Sequence, residues 1–211
     1  MHDLVPILLA VAGGYLAGSC PFGYWLVRLA KGVDIRKVGS GNIGATNVWR
    51  TYGRWYGVPV VILDTAKGFV PALLATVYVS HVAGVLAGAA AMVGHIRPLF
   101  LGFEKGGKAV ATCGGAFFGL APLVGVAGGV TWLLLFLVLR YASVASMGAA
   151  LSLPVWAVVL GEPWPVIAFG GVAAAAVIFL HRANIARLRA GTENRFQLRR
   201  KGRPGREAPA R

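Results

Sequence analysis

The stretch LVPILLAVAGGYLAGSCPFGYWLV, residues 4–27, carries no charged side chain. A helix needs roughly 20 mostly apolar residues to cross a bilayer, so this stretch alone can span one. Four further runs, at 58–79, 82–103, 109–139 and 141–180, are also apolar with few or no charges. Over 211 residues the chain is 57% hydrophobic and 13% charged, with a mean hydropathy of +0.68. Soluble domains carry about 25% charged residues. The sequence therefore reads as an all-α polytopic membrane protein.

The positions of the basic residues set the number and direction of the spans, because short cytoplasmic loops are enriched in Lys and Arg. Basic residues cluster at 28–54, at 105–108, at Arg140, and from Arg182 to the end. The apolar sequence between the first two clusters is broken at Ser80–His81 and holds two spans. Between Lys108 and Arg140 there is room for two short ones, with the Gly-rich segment Gly125 to Gly129 as the expected turn. A third pair lies between Arg140 and Arg182, broken at the GEP of residues 161–163. With the first run added, the expectation is seven transmembrane helices, N-terminus outside and C-terminus cytoplasmic. They form a single domain over residues 1–200, followed at 201–211 by a basic, disordered tail.

MHDLVP lacks the basic region of a secretory signal, so the first span is expected to be retained. Cys20 and Cys113 both fall in apolar runs and read as reduced, small hydrophobes with no metal or disulfide role. The net charge of +14 raises nucleic acid as a partner, but ten of the 21 Lys and Arg lie in the last 30 residues. A basic tail beside a membrane contacts anionic headgroups, and no aromatic stacking platform accompanies it. No nucleic-acid partner is expected.

The first inner loop, KGVDIRKVGSGNIGATNVWRTYGRWYG at 31–57, contains GSGNIG, a letter-for-letter match to the dinucleotide pattern G-x-G-x-x-G. That pattern has meaning only between a strand and a helix, and no strand precedes it here. The Walker pattern fails as well, since Ala45 stands where its lysine belongs. What remains is Gly39, Gly41 and Gly44 with Ser40, Asn42, Thr46 and Asn47, flanked by Arg36, Lys37 and Arg50. Glycines let successive backbone N–H groups converge as an anion-binding nest, and Asn and Thr side chains can donate to the remaining phosphate oxygens. A plain flexible turn would not explain the two amides and the flanking cations.

The second inner loop, FEKGGKAVAT at 103–112, repeats the theme. Lys108 at a helix start opposes the macrodipole and fits better if it holds an anion jointly with that N-terminus. In the third, HRANIARLRAGTENR at 181–195, His181 and Asn184 are three apart and share a helical face. His95, beside Arg97, reads as structural. Asp64 and Lys67, three apart within the second span, read as an ion pair that holds the helix in place. Ser143 and Ser146, near Arg140, are weaker candidates for substrate contact. The sum is two anion sites at one bilayer surface beside an apolar interior that suits an acyl chain. A transporter of a phosphorylated solute is the alternative, but transporters often show inverted repeats with sites at the midplane. No internal repeat is visible here. A non-catalytic scaffold would not need two phosphate-type loops.

Three motifs in order carry a family resemblance: GVDIRKVGSGNIGATNVWR with LDTAKGF, then GHIRPLFLGFEKGGKAVAT, then HRANIARLRAGTENRF. The chain resembles, over nearly its whole length, the bacterial membrane glycerol-3-phosphate acyltransferases that use acyl phosphate, the PlsY family. The resemblance implies acyl transfer from acyl phosphate to the sn-1 hydroxyl of glycerol 3-phosphate, giving lysophosphatidic acid and phosphate for phospholipid synthesis. It implies a multi-pass protein of the bacterial inner membrane whose site faces the cytoplasm, coupled functionally to the enzyme that makes acyl phosphate. By the same resemblance the 39–47 loop cradles the acyl-phosphate phosphate, and Ser40, Arg50, Lys108, His181 and Asn184 serve binding and catalysis. One loop departs from the family pattern F-K-G-G-K-G-V-A-T: here Glu104 is inserted and Ala109 replaces a glycine.

The residues suit that chemistry. Acyl phosphate is already activated, so no cofactor, metal or covalent intermediate is expected. Positioning and stabilisation of charge on the carbonyl oxygen and leaving phosphate suffice. None of the four histidines is followed five positions later by Asp, so the His–Asp mechanism of the other large acyltransferase class does not apply. Either His181 or the donor's own phosphate can take the hydroxyl proton.

Overall fold

The computed structural model describes residues 4–196, and among them it contains only helices and turns. The α-helices are α1 (Leu4–Gly18), α2 (Phe22–Lys31), α3 (Ala45–Tyr52), α4 (Arg54–Tyr78), α5 (His81–Ile96), α6 (Val110–Leu120), α7 (Pro122–Leu139), α8 (Ala142–Val159), α9 (Trp164–Leu180) and α10 (Arg182–Arg189). The expected disordered tail lies outside the described residues.

Two of the expected breaks fall where the sequence puts them. At Ser80 the hydroxyl caps α5, accepting the Ala83 N–H at 3.1 Å. At 161–163, Gly161 takes φ +72° and Pro163 ends the turn into α9. The break expected at Gly125 to Gly129 is corrected: it falls at Ala121, and those glycines lie within α7. Pro122 opens α7 at its first turn, where a missing N–H costs nothing. Gly125 and Gly128 are packing residues, because a Cβ there would meet Phe118 at 2.8 Å and Leu153 at 2.6 Å. The first run also has a break at Ser19–Pro21, after which the amphipathic α2 ends with Arg28 and Lys31 in its last turn.

By length and composition five segments can cross a bilayer: 4–31, 54–78, 81–101, 122–139 and 142–159. A sixth is α9, which α10 follows at a 56° bend. Since α10 carries Arg182, Arg187 and Arg189, the apolar span ends at Leu180. The 11 residues of α6 rise only ~16 Å at about 1.5 Å per residue.

Lipid tails are as apolar as leucine, so helices in a bilayer associate through close packing of small residues. Gly14 and Gly18 of α1 lie on Ala87 and Ala91 of α5; a Cβ on them would come within 2.3 and 2.1 Å of those carbonyl oxygens. Between α4 and α6 the same device recurs, with Gly68 against the Thr112 carbonyl and Gly115 against that of Thr65, both at 2.0 Å. At the centre Phe117 stacks on Phe169 with centroids 5.1 Å apart. Outward faces such as Leu134, Val138, Val172 and Phe179 are exposed, as lipid-facing residues are. The polar loops before α3, before α6 and after α9 meet at one end of the bundle.

Gly13 and Gly14 make a paired test of this packing. A Cβ on Gly13 meets nothing within 4 Å, so Gly13→Ala should leave stability unchanged or raise it by up to about 1 kcal/mol through helix propensity. Gly14→Ala should lower it by about 1–3 kcal/mol, since backbone must move. Thermal unfolding in detergent reads both; equal effects would reject the close-packed α1–α5 seam.

Candidate active site

The first loop is built by its own amides. Asp34 starts a short 3-10 turn over Ile35–Lys37 by accepting the Arg36 N–H at 2.9 Å. The chain then reverses through Gly39 and Gly41, at φ +62° and +70°, a backbone region costly to other residues. Asn47, buried on α3, reaches back into the reversal. Its Oδ1 accepts the Ser40 N–H at 2.9 Å, and its Nδ2 donates to the carbonyls of Val38 at 3.0 Å and Asn42 at 2.9 Å. Asn42 Oδ1 accepts the Gly44 N–H at 2.8 Å. Asn47 is thus committed to shaping the loop rather than free to meet a phosphate. The Ser40 and Gly44 amides are likewise occupied. Facing outward are the side chains of Ser40 and Thr46, with the backbone amides of Ala45 and Thr46 at the open end of α3.

In the second loop the glycines fasten the chain that carries Lys108. Gly106 N–H donates to the Ile96 carbonyl at 2.9 Å and Gly107 N–H to that of His95 at 3.0 Å, strapping the loop onto the end of α5. These amides are spent on the strap, not on an anion. A Cβ on Gly107 would sit 1.9 Å from His95 Nε2, so only glycine fits. The strap delivers Lys108, and Ala109 follows at φ +57°, the conformation a glycine would adopt without strain. Glu104, the inserted residue, pairs with Arg36, whose guanidinium also binds Asp34. Together with Lys37, Gly41 and Lys105 these residues line a polar surface cavity of about 420 Å³.

The third loop converges on Glu193, which reading the sequence did not single out although it stands in the quoted motif. Its buried carboxylate accepts from Ser143 Oγ at 2.7 Å, Asn184 Nδ2 at 2.6 Å and Arg187 Nε at 2.7 Å. The other end of Asn184, Oδ1, accepts from Lys108 Nζ. Arg50 donates to the Asn194 carbonyl at 2.8 Å and lies over the Phe196 ring at 4.7 Å. His181 Nδ1 sits 2.8 Å from the Val177 carbonyl oxygen. A carbonyl only accepts, so Nδ1 carries the proton and Nε2 is left as an acceptor. Ser146 stands apart, bonded to the Ala142 carbonyl and Trp132. Three links therefore close a triangle of loops: Arg36–Glu104, Lys108–Asn184 and Arg50–Asn194.

Charge in this triangle is poorly solvated. Burial, with Arg187 beside it, lowers the Lys108 ammonium to about 8 against the partial opposition of Glu193. Burial and the Lys108 charge bring His181 down to about 4, so its imidazole is neutral near pH 7. Burial would raise Glu193, but its bonds from Asn184, Ser143 and Arg187 outweigh that and hold it below its ordinary value. An anionic ligand would relieve the crowding of Lys108, Arg50 and Arg187.

The sequence profile of the family described as Glycerol-3-phosphate acyltransferase matches residues 8–191. The chain belongs to this family. A glycerol-3-phosphate acyltransferase of Aquifex aeolicus (strain VF5) is 46% identical over 191 residues, covering 90% of this chain and 98% of that one. One from Roseiflexus sp. (strain RS-1) is 49% identical over 204 residues, covering 93% and 98%. The crystal structure of PlsY (YgiH), an integral membrane glycerol 3-phosphate acyltransferase, in its glycerol 3-phosphate form, superposes with a TM-score of 0.87 at 44% identity. It covers 90% of this chain and 96% of that one. Its lysophosphatidic acid form gives 0.84 at the same identity. The protein is an integral membrane acyltransferase.

The state of Lys108 gives this acyltransferase a pH signature. The lysine is cationic below about 8 and loses its charge as pH rises through that value. Affinity for sulfate, whose own charge is constant there, should fall above about pH 8. Lys108→Arg should abolish that fall, since guanidinium stays charged. Calorimetric titration at several pH values checks it; a flat wild-type profile would remove Lys108 from the anion site.

Proposed function

We propose that this acyltransferase moves an acyl group from acyl phosphate to the sn-1 hydroxyl of glycerol 3-phosphate. The products are 1-acyl-glycerol 3-phosphate (lysophosphatidic acid) and inorganic phosphate, at the entry to phospholipid synthesis. The observation that carries this reading is the convergence of Lys108, Asn184, Arg187, Arg50 and the 38–47 loop on one polar surface of an apolar bundle. The solved relatives, described with glycerol 3-phosphate and with lysophosphatidic acid, support the same acceptor and product. An apolar groove of about 680 Å³ between α1 and α4, lined by Leu9, Gly13, Leu63, Val70 and Leu74, has room for an acyl chain.

In the reaction the hydroxyl oxygen attacks the acyl carbonyl carbon, the new C–O bond forms, and the bond to the phosphate oxygen breaks. Lys108 and Arg50 neutralise phosphate charge, with Lys108 oriented by Asn184. Ser40, Thr46 and the open end of α3 donate to the donor phosphate. His181 Nε2 accepts a hydrogen bond from the attacking hydroxyl and so aims it. With its basicity reduced to about 4, the imidazole is a poorer proton acceptor than a phosphate monoester, whose second pKa is about 6. The departing phosphate therefore takes the proton. The enzyme acts in the bacterial inner membrane, functionally coupled to the enzyme that supplies acyl phosphate, without cofactor or metal. Seven crossings, with α6 as the short one, put the N-terminus outside and residues 31–57, 103–108 and 182 onward in the cytoplasm, where basic loops belong.

Purified protein given acyl phosphate and labelled glycerol 3-phosphate should form lysophosphatidic acid and phosphate in equal amounts. No turnover, or equal turnover with an acyl thioester, would refute the donor. His181→Gln should retain at least tenfold more kcat than His181→Ala, because an amide can replace a hydrogen bond but not a base. Equal inactivity would make His181 the base.

For topology, a cysteine introduced at position 104 should resist impermeant reagents in sealed cells. Labelling from outside would reverse the orientation.

A further inference from the structure

Beneath the triangle of loops lies a layer of polar side chains that no step above uses. Asp64 and Lys67 of α4 are 3% and 5% exposed and pair at 2.8 Å. His95, at the inner end of α5, is 4% exposed, with Nδ1 3.7 Å from the same Asp64 oxygen. Ser19 Oγ, Thr112 Oγ1, His95 Nδ1 and, apart from its ion pair, Asp64 Oδ1 have no hydrogen-bond partner among the described residues. Each unpaired buried group is destabilising, and ionisable groups at membrane depth mark function more often than stability. A device that only pinned α4 in place would be better made of apolar residues.

The contacts of this layer run upward to both anion-facing loops. His95 is wedged between Asp64 on one ring edge and Gly107 on the other, the residue directly before Lys108. Its carbonyl also holds the Gly107 N–H at 3.0 Å. On the other side Lys67 Nζ donates to the Cys20 carbonyl at 2.9 Å, at the break where α2 begins. From α2, Gly23 presses on the 38–44 loop, where a Cβ would sit 1.9 Å from the Ile43 carbonyl. One buried ion pair therefore braces the strap that carries Lys108 and the helix that carries the glycine loop.

We propose that Asp64, Lys67 and His95 are positioning residues for acyl transfer, fixing the separation between Lys108 and the 38–47 loop. The inference rests on the proposed reaction, in which those two elements hold phosphate at the same time. A shift of ~1 Å in a positioning group can cost ~10²-fold in rate.

The test uses full-length enzyme in detergent, with kcat and KM measured for both substrates. Variants are His95→Gln and the double variant Asp64→Asn with Lys67→Gln, which removes both charges together and so leaves no uncompensated ion. Each should lower kcat about 10- to 100-fold and raise KM for at least one substrate about tenfold. In a Lys108→Arg background, His95→Gln should cost less than about threefold more, because the group it places is already altered. A merely structural role lowers the active fraction, which scales kcat and leaves both KM values unchanged. Unchanged KM values, or full additivity with Lys108→Arg, would overturn the inference. Wild-type turnover in the same assay tests the reaction separately: inactive wild type refutes the proposed function, whereas active wild type with unchanged variant KM values refutes only the positioning role.

Discussion

The site depends on one buried carboxylate. Glu193 meets Ser143 on α8 and both Asn184 and Arg187 on α10, and Asn184 in turn holds Lys108 from the second loop. Lysine and arginine crowd this surface, and like charges repel strongly where water is scarce. A fixed anion among them lets the cations gather without flying apart, yet it leaves the region net positive. That balance is what a phosphate-binding surface requires: enough internal negative charge to hold its shape, and a deficit for the ligand to fill.

The membrane part of the molecule obeys a different constraint. Hydrophobicity is nearly uniform around α7 and α9, so it cannot decide which faces meet. Small residues decide it, through backbone contacts such as Gly14 on Ala87 and Gly68 on Thr112. Aromatic pairs then fill the remaining space, as with Phe117 and Phe169. At the polar end, Phe196 packs on Trp49 and Phe136, which anchors the returning third loop to α3 and α7.

Much of this was legible in the sequence because it is written locally. Apolar runs, basic clusters and the Ser80 and Gly161 breaks need only neighbouring residues to be understood. The glycines were read less well. Gly106 and Gly107 were read only as part of the loop before Lys108, and it is the approach of His95 that shows Gly107 makes room for a ring. Gly125 and Gly128 looked like a turn for the same reason: local sequence cannot tell a glycine that bends the chain from one that admits a neighbour. Asn47 was found but its part in shaping the loop was not, since its partners lie up to twelve positions away. Glu193 was passed over because a lone acid in a basic segment has no local pattern. Its importance arises from α8 and α10 arriving at the same point.

The length of α6 has a consequence for where chemistry can occur. Its first turn lies against Gly68, beyond the middle of the 25-residue α4, and the two run in the same direction from there. Helix α6 thus shields only the C-terminal part of α4, and most of its own residues are buried against protein neighbours. The bilayer need not thin to match a short helix, because the protein absorbs the mismatch internally. At the N-terminal end of α6 this leaves the buried Asp64, Lys67 and His95 packed against protein. Charge contacts among these shielded groups are stronger than the same contacts would be in water.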